Sequence, residues 1–359
     1  MDRRTILFDG YWLASGPPSG RNVVQSLIEG WVEAFPQDIV QVAVPSEPVS
    51  TVPSAVEVVT VPSLLRNHGA WIMTALPRVM RPADLTVTQN FSPRSPRVSR
   101  SAVATFVHDA IWHEHPEWFT VAERLYLGAS GHTLRWADIV LTSSQAEADR
   151  IDRRLPFARG KVNAVGLGVP VGLTRSSACP PAGLDHDTKF VLAVGRLNVR
   201  KNLARLVDAF LGNKLLTNTK LVLVGAANGL SDVSGAQYAD PRVVSIGSVP
   251  DEELRWLYEN CQAFAFPSLD EGFGLPLIEA EYFGAPSVAS AIPAFMELGV
   301  ANRLFDPTDA SSIAEALTTV VNETPRAGSA GGYSLDPRWL DVAARARQAA
   351  HREMKVPSA

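Results

Sequence analysis

Short apolar runs alternate with longer amphipathic stretches along most of the chain, a pattern typical of parallel α/β units. The apolar runs predict buried strands, and the amphipathic stretches predict helices that cover the sheets. Strands are predicted at 5–8, 39–44, 56–61, 85–88, 102–107, 139–142, 190–194, 221–224, 243–246, 263–266 and 287–289. Helices are predicted at 22–35, 144–154, 203–211, 251–259, 276–283, 310–321 and 337–352.

A stretch without helical or strand period interrupts this alternation. Residues 169–189 contain Pro170, Pro180 and Pro181 among polar residues, which favours a linker between domains. The pattern then restarts. We therefore predict an α/β protein with two doubly wound domains, at 1–170 and 171–335, followed by a C-terminal helix and tail at 336–359.

The amino-acid composition limits the kinds of protein to which this chain can belong, but it does not identify the function. The 359 residues are 46% hydrophobic and 19% charged, with a net charge of −4, which argues against a nucleic-acid partner. Cys179 and Cys261 form no metal or disulfide spacing, so a reducing compartment is expected. The first apolar run is short and ends at Asp9, and nowhere do about 18 apolar residues run together. We expect a cytoplasmic protein, at most peripheral at the inner face of a membrane.

The segment from Phe266 to Glu279 carries the strongest chemical signal. A predicted buried strand ends in a loop that contains Glu271, Gly272 and Gly274, and Pro276 then suits the first turn of a helix. Exposed N–H groups at such a helix start favour a phosphate, and the glycines allow its close approach. Glu279 lies about one helical turn further on, so one of the two carboxylates is placed to bind a sugar and the other to accept hydrogen bonds from ribose hydroxyls. The alternative is a solvated loop charge and a glutamate that favours the helix dipole.

This segment resembles the E-x7-E motif of the retaining glycosyltransferases of family four, which have the two-domain GT-B fold. Residues 194–203, Val-Gly-Arg-Leu-Asn-Val-Arg-Lys-Asn-Leu, are similar to the family's G-R-x4-K-N segment. Residues 136–144 and 161–170 resemble two further family segments, and Val107-His108-Asp109 with His115-Pro116-Glu117 resembles its catalytic loop. The resemblance covers most of residues 100–320. It implies two Rossmann-like domains facing a central cleft, with the C-terminal helix crossing back to the first.

The resemblance also implies a donor site that needs neither a metal nor a cofactor. Arg196 and Lys201 would grip the diphosphate of a nucleotide sugar, because they follow the first strand of the second domain at its ligand-binding edge. Taken alone, either residue is better interpreted as a solvated charge at the start of a surface helix, and this is the interpretation given to Arg200. The expected catalytic residues are His108 and Glu271, and the expected donor-binding residues are Gly20, Arg196, Lys201, Gly272, Phe273, Gly274, Leu275 and Glu279.

Two of these assignments keep open alternatives. His108 follows a buried strand, where a functional residue would lie, but a lone histidine is often structural. Gly20 occupies the place of a family Gly-Gly pair, but here Pro17, Pro18 and Ser19 separate it from Gly16, so a plain strand-to-helix turn explains it equally.

The resemblance implies that a hexose is transferred with retention, by a front-face mechanism, to a saccharide or lipid-linked saccharide of a cell-surface glycan. GDP-mannose is the first expected donor and a UDP-hexose the second. Residues 64–100 hold six arginines and one acidic residue, Asp84, and either bind an anionic lipid-linked acceptor or membrane, or are amphipathic connections. Competing interpretations are a sugar-nucleotide epimerase, a phosphorylase, whose cofactor-lysine motif we do not find, and an inactive nucleotide-sugar-binding scaffold.

Overall fold

The computed structural model describes residues 3–46, 52–63, 67–94, 101–226, 239–323 and 338–355. The chain divides into two units. The first comprises Met1–Glu114, Val121–Pro170 and Pro337–Ala359, and the second comprises His115–Thr120 and Val171–Asp336. A short piece of the first half of the sequence therefore belongs to the second unit.

The first unit is built on a parallel sheet of seven strands among the described residues, in the order β3-β2-β1-β4-β5-β6-β7. These strands are β1 (Thr5–Asp9), β2 (Ile39–Val44), β3 (Val56–Thr60), β4 (Leu85–Gln89), β5 (Ala102–Phe106), β6 (Ile139–Thr142) and β7 (Val162–Ala164). The central strands are buried along nearly their whole length, which explains their continuous apolar runs. The edge strand β7 is only half-buried and escaped prediction because its residues form no apolar run.

Five α-helices of the first unit lie between β1 and β7 in the described sequence. They are α1 (Tyr11–Ala14), α2 (Pro18–Ala34), α3 (His68–Thr74), α4 (Val121–Thr133) and α5 (Gln145–Arg154). The predicted start of α2 at residue 22 is wrong. Pro17 is extended and Pro18 takes the first helical position, where its fixed φ and missing N–H suit a helix start. Gly20 consequently lies inside the first turn of a helix.

The second unit has a parallel sheet of six described strands in the order β10-β9-β8-β11-β12-β13. They are β8 (Phe190–Val194), β9 (Lys220–Val224), β10 (Val243–Gly247), β11 (Ala263–Phe266), β12 (Ser287–Ser290) and β13 (Arg303–Phe305). Its helices are α6 (Val171–Arg175), α7 (Leu203–Gly212), α8 (Asp251–Asn260), α9 (Leu275–Tyr282), α10 (Pro293–Leu298) and α11 (Ala310–Asn322). Leu206, Val207 and Phe210 of α7 pack with Ile313 and Leu317 of α11 in a core over one face of this sheet.

The last described helix, α12 (Trp339–Ala350), returns to the first unit and packs along α2. Gly30 allows close approach, because a Cβ there would lie 2.4 Å from the carbonyl carbon of Trp339. At the other end of the contact, Arg347 donates to the buried carboxylate of Asp38 at 3.1 Å and covers the ring of Phe35. The predicted return of this helix is thus observed. Of the helices in the described ranges, none is long and apolar enough to cross a bilayer.

We expect Gly30→Ala to destabilise the first unit, because the new methyl group meets main-chain atoms that cannot rotate away. Overpacking of this kind costs about 1–3 kcal/mol, measurable as a loss in the free energy of unfolding by chemical denaturation. Gly128→Ala in α4 is the control, since its Cβ would find its nearest neighbour, Trp112, at 3.9 Å. Equal stability of the two variants would show that the helices separate without cost.

Candidate active site

Glu271 is the centre of a charged cluster in the second unit. It lies in the loop after β11, and its side chain is only 9% exposed. One carboxylate oxygen, Oε2, accepts a hydrogen bond from Arg200 Nη1 at 2.6 Å. The other, Oε1, accepts from Ser268 Oγ at 2.8 Å and from the Lys201 ammonium. Both oxygens of the carboxylate are therefore held by donors.

The loops after β8 and β11 meet because these strands are neighbours, and parallel strands end at the same edge of a sheet. A short 3-10 turn, Val199–Lys201, follows β8. Asn202 then precedes the first residue of α7 with φ of 54°, a conformation that asparagine tolerates. Asn202 Nδ2 donates to the carbonyl oxygen of Pro267 at 3.1 Å. Leu269 N donates to the carbonyl oxygen of Arg200 at 2.8 Å. These bonds fix the cations opposite the carboxylate.

Arg200 corrects an expectation from the sequence. The sequence pattern places it among the solvated charges, but its side chain is only 17% exposed and contacts both Glu271 and the carbonyl oxygen of Asp270. The two consecutive basic residues thus hold the same carboxylate. Arg196, by contrast, is exposed, and its guanidinium makes no ion pair with any residue in the described ranges.

The cluster has more positive than negative charge. Burial raises the pKa of the Glu271 carboxyl, but the charges of Arg200 and Lys201 outweigh it and lower that pKa to about 2. Burial also lowers the pKa of Lys201; Glu271 opposes this shift, while Arg200 and Arg196 add to it. Arg200 and Lys201 thus share one carboxylate, and the charge of Arg196 also acts on Lys201. Such a site is electrostatically suited to a further anion.

The start of α9 supplies hydrogen-bond donors beside Glu271. Gly274 caps the helix with φ of 115°, and a Cβ there would lie 2.7 Å from the ring of Phe295, so the position requires glycine. The N–H groups of Phe273, Gly274 and Leu275 bond to no other residue in the described parts of the chain. Together with the helix dipole, adjacent free N–H groups of this kind bind phosphate.

Glu279 lies one helical turn further along α9, and it is buried. Its Oε2 accepts a hydrogen bond from the hydroxyl of Tyr258 in α8 at 2.8 Å, whereas Oε1 has no bond to another described residue. Burial raises the pKa of Glu279 to about 7, although the bond from Tyr258 acts in the opposite direction. Glu279 therefore retains an acceptor atom for a ligand.

The sequence did not single out Ser268 or Tyr258. Ser268 follows β11 by two residues, so its position at a strand end was a usable signal. Tyr258 offered no such signal, because it lies inside the amphipathic helix α8 and reaches Glu279 only through the packing of two helices.

His108 belongs to the first unit and lies just beyond the carboxyl end of β5. Its Nε2 is 2.9 Å from Gln89 Oε1, at the end of the neighbouring strand β4. The loop that follows is anchored by the buried Glu147, which accepts a hydrogen bond from Ala110 N at 2.7 Å. Burial, and then the charge of His68, lower the pKa of His108 to about 4. This histidine is therefore uncharged at neutral pH.

Gly20 has a packing reason for being glycine. A Cβ at this position would lie 2.5 Å from the indole of Trp12, which is itself buried. The same holds for Gly16, where a Cβ would lie 2.7 Å from Trp12. The loop before α2 and the first turn of α2 thus both pack against Trp12. A role of Gly20 in binding the donor stays a prediction.

The arginine-rich stretch at 64–100 is described in part, since Arg66, Arg97 and Arg100 lie outside the described residues. Three of its arginines, Arg78, Arg81 and Arg94, are exposed. The apolar residues between them face inward instead, because Trp71, Ile72 and Met80 are fully buried. These three apolar residues therefore belong to the hydrophobic core of the first unit.

Comparisons with known proteins show what the chain is similar to. Residues 179–333 match the model of the family described as "Glycosyl transferases group 1". The chain is 30% identical over 227 residues to the O-antigen chain mannosyltransferase B of Escherichia coli, an alignment that covers 59% of each chain. The chain thus spans less than two thirds of that relative.

Two solved structures resemble nearly the whole chain. Sucrose-phosphate synthase from Thermosynechococcus elongatus gives a TM-score of 0.62 at 19% identity and covers 98% of this chain and 95% of its own. HepE from Anabaena, in complex with UDP and glucose, gives a TM-score of 0.61 at 18% identity with the same coverages. These likenesses confirm the predicted α/β fold of the GT-B type.

The raised pKa of Glu279 predicts a pH-dependent stability. Between its ordinary value of 4.5 and about 7, the folded state holds a proton that the unfolded state has released, so the free energy of unfolding falls as pH rises. In Glu279→Gln the new amide does not titrate and can still accept a hydrogen bond from Tyr258. We expect this variant to be more stable than wild type at pH 8, by an amount on the order of 2–4 kcal/mol, and equal at pH 4.5.

Chemical denaturation at both pH values measures this difference. Glu315→Gln, an exposed change in α11, should leave the free energy of unfolding unchanged at either pH. If Glu279→Gln gave the same difference from wild type at both pH values, the assigned pKa would be wrong.

Proposed function

We propose that this chain, whose residues 179–333 match the family model of the group 1 glycosyltransferases, transfers a hexose from a nucleotide diphosphate sugar to a saccharide acceptor. The observation that carries this proposal is the surplus of positive charge around Glu271, beside the unbonded N–H groups at the start of α9. A diphosphate supplies the missing negative charge and accepts those hydrogen bonds.

In this proposal each group of the site has one task. Arg196 and Lys201 bind the diphosphate, and the N–H groups of residues 273–275 bind its oxygens. Glu279 accepts hydrogen bonds from the ribose through Oε1, and Glu271 contacts the hexose. The cations neutralise the charge that develops on the leaving diphosphate, which is the largest electrostatic demand of the reaction. The chain therefore performs with basic side chains what other transferases perform with a bound metal.

The donor proposed first is GDP-mannose. The E. coli relative is named a mannosyltransferase, which supports mannose as the sugar. The HepE structure holds UDP and glucose, which makes a UDP-hexose the second candidate. The same relative acts on an O-antigen chain by its name, so we propose a saccharide or lipid-linked saccharide of a surface glycan as the acceptor, reached at the cytoplasmic face of the membrane.

We propose retention of the anomeric configuration by a front-face reaction, in which the leaving phosphate oxygen deprotonates the acceptor hydroxyl. Both oxygens of Glu271 are engaged by Arg200, Lys201 and Ser268, and its pKa is about 2. A carboxylate of such low basicity, enclosed by donors, is a poor nucleophile. Its environment supports a role in placing the sugar and balancing charge.

We expect Arg196→Ala to weaken binding of a nucleotide diphosphate by about 10- to 100-fold, because charge-assisted hydrogen bonds are lost at an otherwise unpaired cation. Thermal shift with GDP-mannose, UDP-glucose, ADP-glucose and dTDP-glucose ranks the donors, since a ligand bound only to the folded state raises the melting temperature. Calorimetry on the best donor then gives both dissociation constants.

Lys214→Ala removes another exposed cation from the same unit and serves as the control. The largest shift is expected with GDP-mannose, and transfer or donor hydrolysis must accompany it. If the donor bound wild type and Arg196→Ala with equal affinity, Arg196 would not contact the diphosphate. Binding of a donor without any turnover would support the interpretation as an inactive scaffold.

The role of Glu271 is tested by Glu271→Gln. This variant keeps an acceptor oxygen but loses the charge, and we expect donor turnover to fall by about 100-fold or more. Intact-protein mass spectrometry during turnover should detect no sugar–enzyme adduct in wild type or variant. Glu315→Gln should turn over donor at the wild-type rate, whereas a covalent adduct on residue 271 would contradict the front-face mechanism.

A further inference from the structure

A buried polar cluster in the first unit remains without a role in the proposed reaction. It lies at the carboxyl ends of the neighbouring strands β1, β4 and β5, which contribute Asp9, Gln89 and the residues leading to His108. His68, the first residue of α3, completes it. Asp9 and Gln89 are each 1% exposed and His68 is 5% exposed. Bulk water therefore does not supply hydrogen bonds to their polar atoms, and these bonds must come from the protein.

Asp9 fixes the orientation of His68. Its carboxylate accepts hydrogen bonds from Tyr11 N at 3.0 Å and from His68 Nε2 at 2.8 Å. A carboxylate accepts only, so the hydrogen of this bond is on Nε2. Nδ1 of His68 lies 3.3 Å from the hydroxyl of Tyr126, which occupies the remaining ring nitrogen. The His68 ring is thus bonded at both nitrogens and does not reach a substrate.

Trp12 separates His68 from His108. Its ring centroid lies 5.2 Å from that of His68 and 5.0 Å from that of His108, and Phe106 packs 5.0 Å from His108. Room for the indole comes from Gly16 and Gly20, as described above. The two imidazoles are therefore held at fixed places beside one indole. A second positive charge on His108 would be repelled by a charge on His68 and penalised by burial.

Gln89 contacts one ring nitrogen of His108. In the orientation that the structure gives the Gln89 amide, Oε1 lies 2.9 Å from His108 Nε2, and because an amide oxygen accepts only, this orientation requires Nε2 to donate. Gln89 is held in turn by the β4–β5 pairing, in which it lies opposite Phe106. Nδ1 of His108 makes no hydrogen bond to any residue of the described ranges and is left as a lone-pair acceptor.

We propose that Gln89, with Trp12 and the Asp9–His68 pair, is a set of positioning residues that holds His108 as the neutral Nε2–H tautomer, so that Nδ1 accepts a hydrogen bond from a sugar hydroxyl. The proposal rests on the glycosyl transfer proposed above. Positive charge builds on the sugar in the transition state of such reactions. A neutral acceptor stabilises that charge, whereas an imidazolium would repel it.

The tautomer is measured by NMR on full-length protein carrying 15N-labelled histidine at pH 7.5, without substrate. The chain has seven histidines, and the signals of residue 108 are identified by their loss in His108→Gln. We expect a protonated Nε2 and an unprotonated Nδ1. A protonated Nδ1, alone or with Nε2, would overturn the inference, whether or not the protein transfers sugar.

The positioning role is measured with Gln89→Met, which keeps the length of the side chain but has no amide oxygen. We expect the signals of His108 to shift toward the other tautomer, and the rate of GDP-mannose hydrolysis at saturation to fall by about 3- to 10-fold with an unchanged KM. Gln41→Met, on β2 with an exposed side-chain hydrogen bond to Glu57, should change neither.

The outcomes separate the two proposals. Loss of the tautomer preference without loss of rate would remove Gln89 from the reaction. If Gln89→Met fails to fold, the wild-type spectrum still decides the tautomer. The predicted tautomer in a protein that neither binds nor hydrolyses any of the four donors would leave the assignment of His108 intact and refute the proposed function.

Discussion

The carboxylate of Glu271, shared between Arg200 and Lys201, is the interaction on which the second unit depends. It joins the loops after two adjacent strands, β8 and β11, and holds the start of α9 beside them. Two cations, Arg200 and Lys201, contact this one carboxylate, so a further anion at the site would meet a favourable charge. The same contact thus organises the loops at which we propose that a diphosphate binds.

In the first unit, too, polar side chains gather where the parallel strands end, but there the central buried charge is negative. Its strands also end at one edge, but there the buried charge is the carboxylate of Asp9, which His68 satisfies. The side chains of Asp9, His68 and Gln89 form their hydrogen bonds with other residues of this unit. Of the two imidazoles in this described cluster, His68 is hydrogen-bonded at both ring nitrogens, whereas His108 is hydrogen-bonded only at Nε2. We propose that one edge binds a charged ligand and that the other holds a neutral acceptor in place.

Much of the architecture was predictable, because buried parallel strands require continuous apolar runs. The runs at 39–44, 139–142, 190–194 and 263–266 match observed strands at both ends. The half-buried β7 and the mostly exposed α4, by contrast, were missed, since neither carries a clear apolar pattern. Among the site residues, Glu271 and Lys201 were found in contact, but Arg200 was misassigned, because sequence spacing does not tell on which side of a turn a cation lies.

The sequence by itself determined the two parallel sheets, the strand ends that carry polar side chains, and the glycine and proline that begin α9. These features are local, and each follows from burial, backbone conformation or the unpaired groups of a helix end. Only the tertiary structure decided which groups meet. Gln89 with His108, Tyr258 with Glu279, and Asp9 with His68 are separated by 19, 21 and 59 positions in the sequence. Their pairing depends on strand order and helix packing, which periodicity does not encode.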